Sequence, residues 1–163
     1  MKQLLIIRHA KSSWDLTALT DFERQLNDRG HSNAPMMAQR LIDKQITIDA
    51  FVSSTAVRAL TTATYFAKTY QQNVETILQF DELYNASANT LLKVVSSLQK
   101  NIETAAVFAH NPGVTDFANM LTTTQIDDMP TCGIFAVKAH CDNWGDFKDA
   151  KKEFWFFDYP KNV

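Results

Sequence analysis

Apolar residues fall into short, nearly continuous runs, separated by stretches in which they recur every third or fourth position. Leu4, Leu5, Ile6 and Ile7 make the first run. A continuous run, rather than an alternating one, is the habit of a parallel strand covered on both faces. Residues 3–8 therefore predict a first strand that ends on Arg8 and His9. A polar stretch rich in Asp, Thr and Arg follows from Lys11 to Gly30. It is long for a strand-to-helix connection, and long loops are often functional. Ala34, Met37, Ala38, Leu41 and Ile42 then repeat at helical spacing. Pro35 forbids a smooth interior. The helix either starts near Ser32 with Pro35 in its first turn, or has an earlier turn capped by Asn27 and kinked at the proline.

Asp49 to Ser53 predict a second strand, and Ser54 and Thr55 are good caps for a helix from Ala56 to Tyr70. Val74 to Leu78 predict a third strand. Ser87 or Asn89 caps a helix whose Leu91, Leu92, Val95 and Leu98 form one stripe. Ala105 to Ala109 predict the fourth strand, apolar throughout. Asn111 as cap and Pro112 at the first position open another helix, with Phe117, Ala118 and Leu121 on its core face. Gly133 to Ala139 and Glu153 to Phe157 predict a last, antiparallel pair, joined through the turn-like Asp142-Asn143-Trp144-Gly145. Strand and helix alternate four times. That predicts an α/β three-layer sandwich with a mainly parallel central sheet and an antiparallel edge.

The chain has 163 residues, which suits one domain spanning 1–163. A formal net charge of -2 gives no global field for nucleic acid or an anionic membrane surface. Handling phosphate would need a local cluster of positive charge. Cys132 and Cys141 have no histidine pair at zinc-site spacing. They read as free thiols in a reducing compartment. The N-terminal apolar run is cut off by Arg8, short of what a signal peptide needs. No stretch approaches the length of a membrane span. A cytoplasmic protein is expected.

In open α/β sheets, ligands bind at the carboxyl ends of the strands. Arg8 and His9 end the first strand, Arg58 lies in the first turn after the second, and His110 ends the fourth. An arginine or histidine alone is weak evidence. Four at one sheet edge suit a phosphoryl group, whose peripheral oxygens match the planar arginine fork. The Asn111-Pro112-Gly113 turn offers a helix N-terminus as well, which suits an anion. A neutral imidazole is a competent nucleophile toward phosphorus. A second histidine, if protonated, would hold an oxygen. Such a site works by positioning and electrostatics and needs no metal or other cofactor.

Three stretches resemble the signatures of the histidine phosphatase superfamily, whose fold is phosphoglycerate mutase-like. They are Arg8-His9-Ala10, Ser53-Ser54-Thr55-Ala56-Val57-Arg58-Ala59 with Thr62-Ala63, and Ala109-His110-Asn111-Pro112-Gly113. The likeness is greatest to the short branch of SixA-type phosphohistidine phosphatases. Asp21 to Leu26 before Gly30, Glu82-Leu83-Tyr84, and Pro130 to Ile134 support it. The resemblance implies that His9 is the nucleophile, phosphorylated on one ring nitrogen. It implies that Arg8, Arg58 and His110, with Asn111, bind phosphate. Ala10 and Ala109 stand where glycine is common in relatives, and both are small. The chain lacks the large insertion that covers the pocket in mutases. A phosphorylated protein or a small phosphomonoester is therefore the expected substrate, rather than a sugar-phosphate intermediate.

The general acid stays open among Glu82, Asp21 and Asp81. A phosphohistidine leaves as imidazole, whose conjugate acid has a pKa of ~6.5, whereas an alkoxide demands a proton donor. Other phosphate chemistries fail on residues. Lys138, six positions after Cys132, stands where a cysteine phosphatase needs arginine, and no Gly-x-x-x-x-Gly-Lys loop occurs. The aromatic residues Trp144 and Phe154 to Phe157 read as packing, and His31 and His140 as structural. Lys11-Ser12-Ser13-Trp14 has no assigned role.

Overall fold

The computed structural model describes residues 1–14 and 20–163. Part of the long polar stretch expected between Lys11 and Gly30, residues 15–19, lies outside the described residues. Six strands form one sheet in the order β3-β2-β4-β1-β5-β6. They are β1 (Lys2–Arg8), β2 (Ala50–Ser54), β3 (Leu78–Phe80), β4 (Thr104–Ala109), β5 (Ile134–Ala139) and β6 (Lys152–Asp158). β1 pairs in parallel with β4, and β2 in parallel with both β4 and β3. β5 and β6 run antiparallel at the other edge. The α/β sandwich with an antiparallel edge is therefore as expected.

Helices α1 (Asp28–Asp43) and α2 (Val57–Thr69) pack together, as do α3 (Ala88–Ser96) and α4 (Gly113–Leu121). The period-two geometry of β1 explains why helices cover both faces. Leu5 and Ile7 join the core that includes Ala34, Met37, Phe66 and Ala63. Leu4 and Ile6 join the one that includes Leu91, Val95, Val114 and Phe117. All four of these β1 side chains are fully buried. The chain leaves β1 toward α1 on one face and leaves β4 toward α4 on the other. That reversal makes the gap between the ends of β1 and β4 the switch point where such sheets hold ligands.

Local chemistry moved several boundaries. α1 starts at Asp28, capped by Asn27, whose side chain accepts the Gly30 N–H at 2.9 Å. Pro35 lies inside this helix. A Cβ on Gly30 would stand 2.1 Å from the Lys11 carbonyl oxygen, so glycine lets the first turn press on the segment after His9. Ser54 and Thr55 do not cap α2, which starts after Ala56 with no side-chain cap. Ser54 is the last residue of β2. The third strand comes later than expected. Val74–Thr76 is a single 3₁₀ turn, because Asn73 accepts the Glu75 N–H at 3.0 Å and turns the chain. α4 starts at Gly113, and Asn111 does not cap it. Both cysteines are free. Trp144 is buried, and its indole N–H donates to the Ile102 carbonyl at 2.7 Å. His31 lies 2.8 Å from the Tyr65 hydroxyl, and His140 lies 3.0 Å from the Glu153 carboxylate.

Candidate functional site

The ends of β1 and β4 are tied together by backbone. The His9 N–H donates to the Ala109 carbonyl at 3.1 Å. The Cys132 N–H is shared by the Arg8 and His9 carbonyls at 3.1 and 3.0 Å. On the α2 side, the Thr62 hydroxyl accepts the Ala10 N–H at 3.0 Å and donates to the Arg58 carbonyl at 2.7 Å. One side chain therefore fixes the turn after His9 against the helical turn that carries Arg58. The two histidine rings end 5.2 Å apart, centroid to centroid.

His9 is buried, and its Nδ1 lies 2.7 Å from the Ala10 carbonyl oxygen. A carbonyl only accepts, so Nδ1 carries the proton and Nε2 keeps its lone pair. Burial is the main reason its pKa falls to about 3, with His110, Arg58 and Arg8 adding repulsion against the Ala10 hydrogen bond. His110 is lowered to about 4, again chiefly by burial and then by Arg58. Its Nε2 lies 2.9 Å from the Ser54 hydroxyl, which also accepts the Ala56 N–H at 3.1 Å. Both imidazoles are thus neutral at pH 7 with nothing bound. A protonated His110 was one expectation; a phosphoryl dianion, bringing opposite charge, would shift it that way.

Arg8 donates from Nη1 to the Met129 carbonyl at 2.8 Å and lies 4.0 Å from Asp128. Arg58 is buried and grips Asp21 twice. Nη1 donates to its carbonyl at 2.6 Å, and Nη2 to its carboxylate at 3.1 Å. Asn111 spends both amide hydrogens on Asp128 and the Met129 carbonyl, at 2.9 and 3.1 Å, and accepts from Thr115 at 2.6 Å. Its side chain thus holds the segment beneath Arg8.

The three candidate acids have different surroundings. Glu82 is exposed in a short 3₁₀ turn, Asp81–Leu83, and makes no hydrogen bond or ion pair with Arg8, His9, Arg58 or His110. Asp81 accepts from the Thr55 hydroxyl at 2.6 Å. Asp21 joins the cluster. Besides Arg58, it accepts from the Tyr84 hydroxyl at 2.5 Å and from Arg24 at 3.2 Å. The Tyr84 bond, and next the Arg58 charge, hold its carboxyl below the usual aspartate range. Tyr84 also packs edge-on against His110. Arg24 and Tyr84 stood in stretches whose individual side chains carried no assigned role. Their proximity to Asp21 comes from loop geometry that no periodicity encodes. Among the described residues no group of three or more His, Cys, Asp or Glu could hold a metal ion, and no helix is long and apolar enough to cross a membrane.

Known proteins of the same shape are available for comparison. A structure of the protein histidine phosphatase SixA complexed with tungstate superposes with a TM-score of 0.83 at 20% identity, covering 98% of each chain. A candidate phosphohistidine phosphatase SixA from Agrobacterium tumefaciens gives 0.82 at 23% identity, also over 98% of each chain. Among curated sequences, an uncharacterised protein of Mycobacterium leprae is 26% identical over 168 residues, 95% of this chain and 100% of its own. An uncharacterised chloroplastic protein of Arabidopsis thaliana is 27% identical over 155 residues, 88% of this chain and 69% of its own. The model of the histidine phosphatase superfamily, branch 1, matches residues 4–93, more than half of the chain, so the chain belongs to that superfamily.

Proposed function

We propose that the chain is a phosphohistidine phosphatase of the SixA type, acting through a covalent phosphohistidine at His9. One observation carries this reading: a buried His9 ring held neutral, with Nδ1–H on the Ala10 carbonyl and Nε2 as the basic nitrogen. Nε2 donates its lone pair to phosphorus. The substrate ring, protonated by solvent on its other nitrogen, is the leaving group: the bond from phosphorus to its nitrogen breaks, and that nitrogen keeps the electron pair as neutral imidazole. Water then attacks phospho-His9, releases inorganic phosphate and returns the ring to its neutral state, with the water's proton passing to solvent. Covalent catalysis splits one transfer into two easier steps. Arg8, Arg58 and His110 hold the phosphoryl oxygens, and the arginines supply the positive charge that a metal would otherwise bring.

The state of the carboxylates supports the substrate class. Of Asp21, Asp81 and Glu82, only Asp21 pairs with Arg58, and its lowered pKa leaves it ionised at neutral pH. An ionised carboxylate is a poor proton donor. A phosphohistidine ring protonated from solvent on its other nitrogen leaves well without one, because the conjugate acid of the departing imidazole has a pKa of ~6.5. An alkoxide does not.

The test is phosphate release from a carrier protein bearing phosphohistidine, with label trapped on the enzyme. Wild type should turn over and label, and His9→Ala should do neither. Aryl phosphate should be cleaved far faster than alkyl phosphate. Retained turnover in His9→Ala would sink the mechanism. Strong alkyl-ester hydrolysis that disappears in Glu82→Gln would instead support a broad phosphomonoesterase with Glu82 as acid.

A further inference from the structure

Four buried side-chain nitrogens have no hydrogen-bond partner among the described residues: Arg8 Nε, Arg58 Nε, His110 Nδ1 and Arg24 Nε. A buried donor left unpaired is unfavourable, and each such group calls for an explanation. Three of the four belong to side chains already assigned to the phosphoryl group. Burial and pairing alone select them, without reference to that assignment. The fourth member of the set has the same claim.

Arg24 is held on several sides. Nη1 donates to the Ser12 hydroxyl at 2.5 Å and Nη2 to one oxygen of Asp21 at 3.2 Å. The other Asp21 oxygen takes Arg58 Nη2 at 3.1 Å, so one carboxylate joins the two guanidinium groups. Ser12 bridges Leu26, which folds the start of the segment back beside its end. Trp14 lies over the guanidinium, 3.7 Å from ring centroid to Cζ, although 78% of the tryptophan is exposed. Stacking on the tryptophan face helps to fix where the guanidinium sits. Behind burial, which is the main cause for both, Arg24's charge also helps to lower the pKa of Arg8 and of His110, which places it within electrostatic reach of both.

We infer that Arg24 is a third guanidinium ligand of the phosphoryl group, held in place by Trp14, Ser12 and Asp21. This rests on the proposed phosphatase reading and extends it. A phosphoryl group has three non-bridging oxygens, and three arginines can each meet one. Three cations also favour a dianionic phosphoryl end over a diester. The Ser12–Trp14 segment thereby acquires a role as the support of Arg24.

The experiment measures inorganic phosphate as a competitive inhibitor of aryl phosphate hydrolysis by the full chain. Arg24→Ala should raise its inhibition constant roughly 10- to 100-fold, the range for one charge-assisted hydrogen bond. Arg24→Lys should recover part of that loss. Trp14→Ala, at an exposed position, should keep the wild-type thermal midpoint yet weaken phosphate several-fold, and Trp14→Phe should restore it. An inhibition constant within twofold of wild type in a folded Arg24→Ala overturns the inference. If that variant does not fold, unchanged constants in Arg24→Lys and Trp14→Ala overturn it. A wild type that neither turns over nor binds phosphate overturns the phosphatase reading and this inference with it. An active wild type with an indifferent Arg24 removes only the latter.

Discussion

Acidification should destabilise this fold through two imidazoles, and the size of the effect follows from their burial. His9 and His110 are each 6% exposed, with pKa values lowered to about 3 and about 4. In the unfolded chain both titrate near ~6.5. Above pH 6.5 neither state is protonated and there is no penalty. Below it the unfolded chain binds protons that the native state refuses, so native stability falls with pH until the native pKa values are reached. At pH 5 each ring costs about 2 kcal/mol, from 1.5 units at 1.36 kcal/mol per unit. Together they approach about 4 kcal/mol, a large share of a net stability of roughly 5–15 kcal/mol. Urea unfolding at pH 7 and pH 5 in phosphate-free buffer measures this. Wild type should lose about 4 kcal/mol, and His9→Gln or His110→Gln about 2 kcal/mol each. Added inorganic phosphate should shrink the wild-type loss, because a bound dianion raises both pKa values. Equal losses in wild type and both variants would refute the assignment of the effect to these rings.

Two further outcomes test the scaffold around the site. Thr62→Val keeps the shape but strips the Ala10 N–H of its acceptor, which should cost about 1–3 kcal/mol in denaturant unfolding. Thr64→Val removes only a bond to the Leu60 carbonyl and should cost under about 0.5 kcal/mol; similar losses would deny Thr62 its bridging role. Cys132 is buried at a positive φ of 59°, a region where a side chain is disfavoured by roughly 1–2 kcal/mol. Cys132→Gly should therefore equal or exceed Cys132→Ala in thermal midpoint, the reverse of the usual order at a buried position.

That Arg8, His9, Arg58 and His110 would come to one end of the sheet was legible because the topology does the bringing-together. Once alternating strands and helices imply a parallel sheet, Arg8, His9, Arg58 and His110 share one edge whatever the loops do. Residues whose places depend on loops were not legible in the same way. Ser54 reads as a helix cap, yet it ends β2 and its hydroxyl lies against His110 instead. Val74 to Leu78 reads as a strand, and the overlooked signal was Asn73, a cap that turns the chain before β3 begins. Among Glu82, Asp21 and Asp81, no spacing rule says which carboxylate reaches the arginines, because Asp21 arrives from a segment with no periodicity and is held by Tyr84 from another loop. That contact bears on the chemistry as well as the geometry. The bonds that bring Asp21 to Arg58 also stabilise its ionised form. Asp21 is therefore suited to hold cations rather than to give up a proton. On the function proposed above, a site so arranged suits a leaving group that departs without one, as the protonated ring of phosphohistidine does.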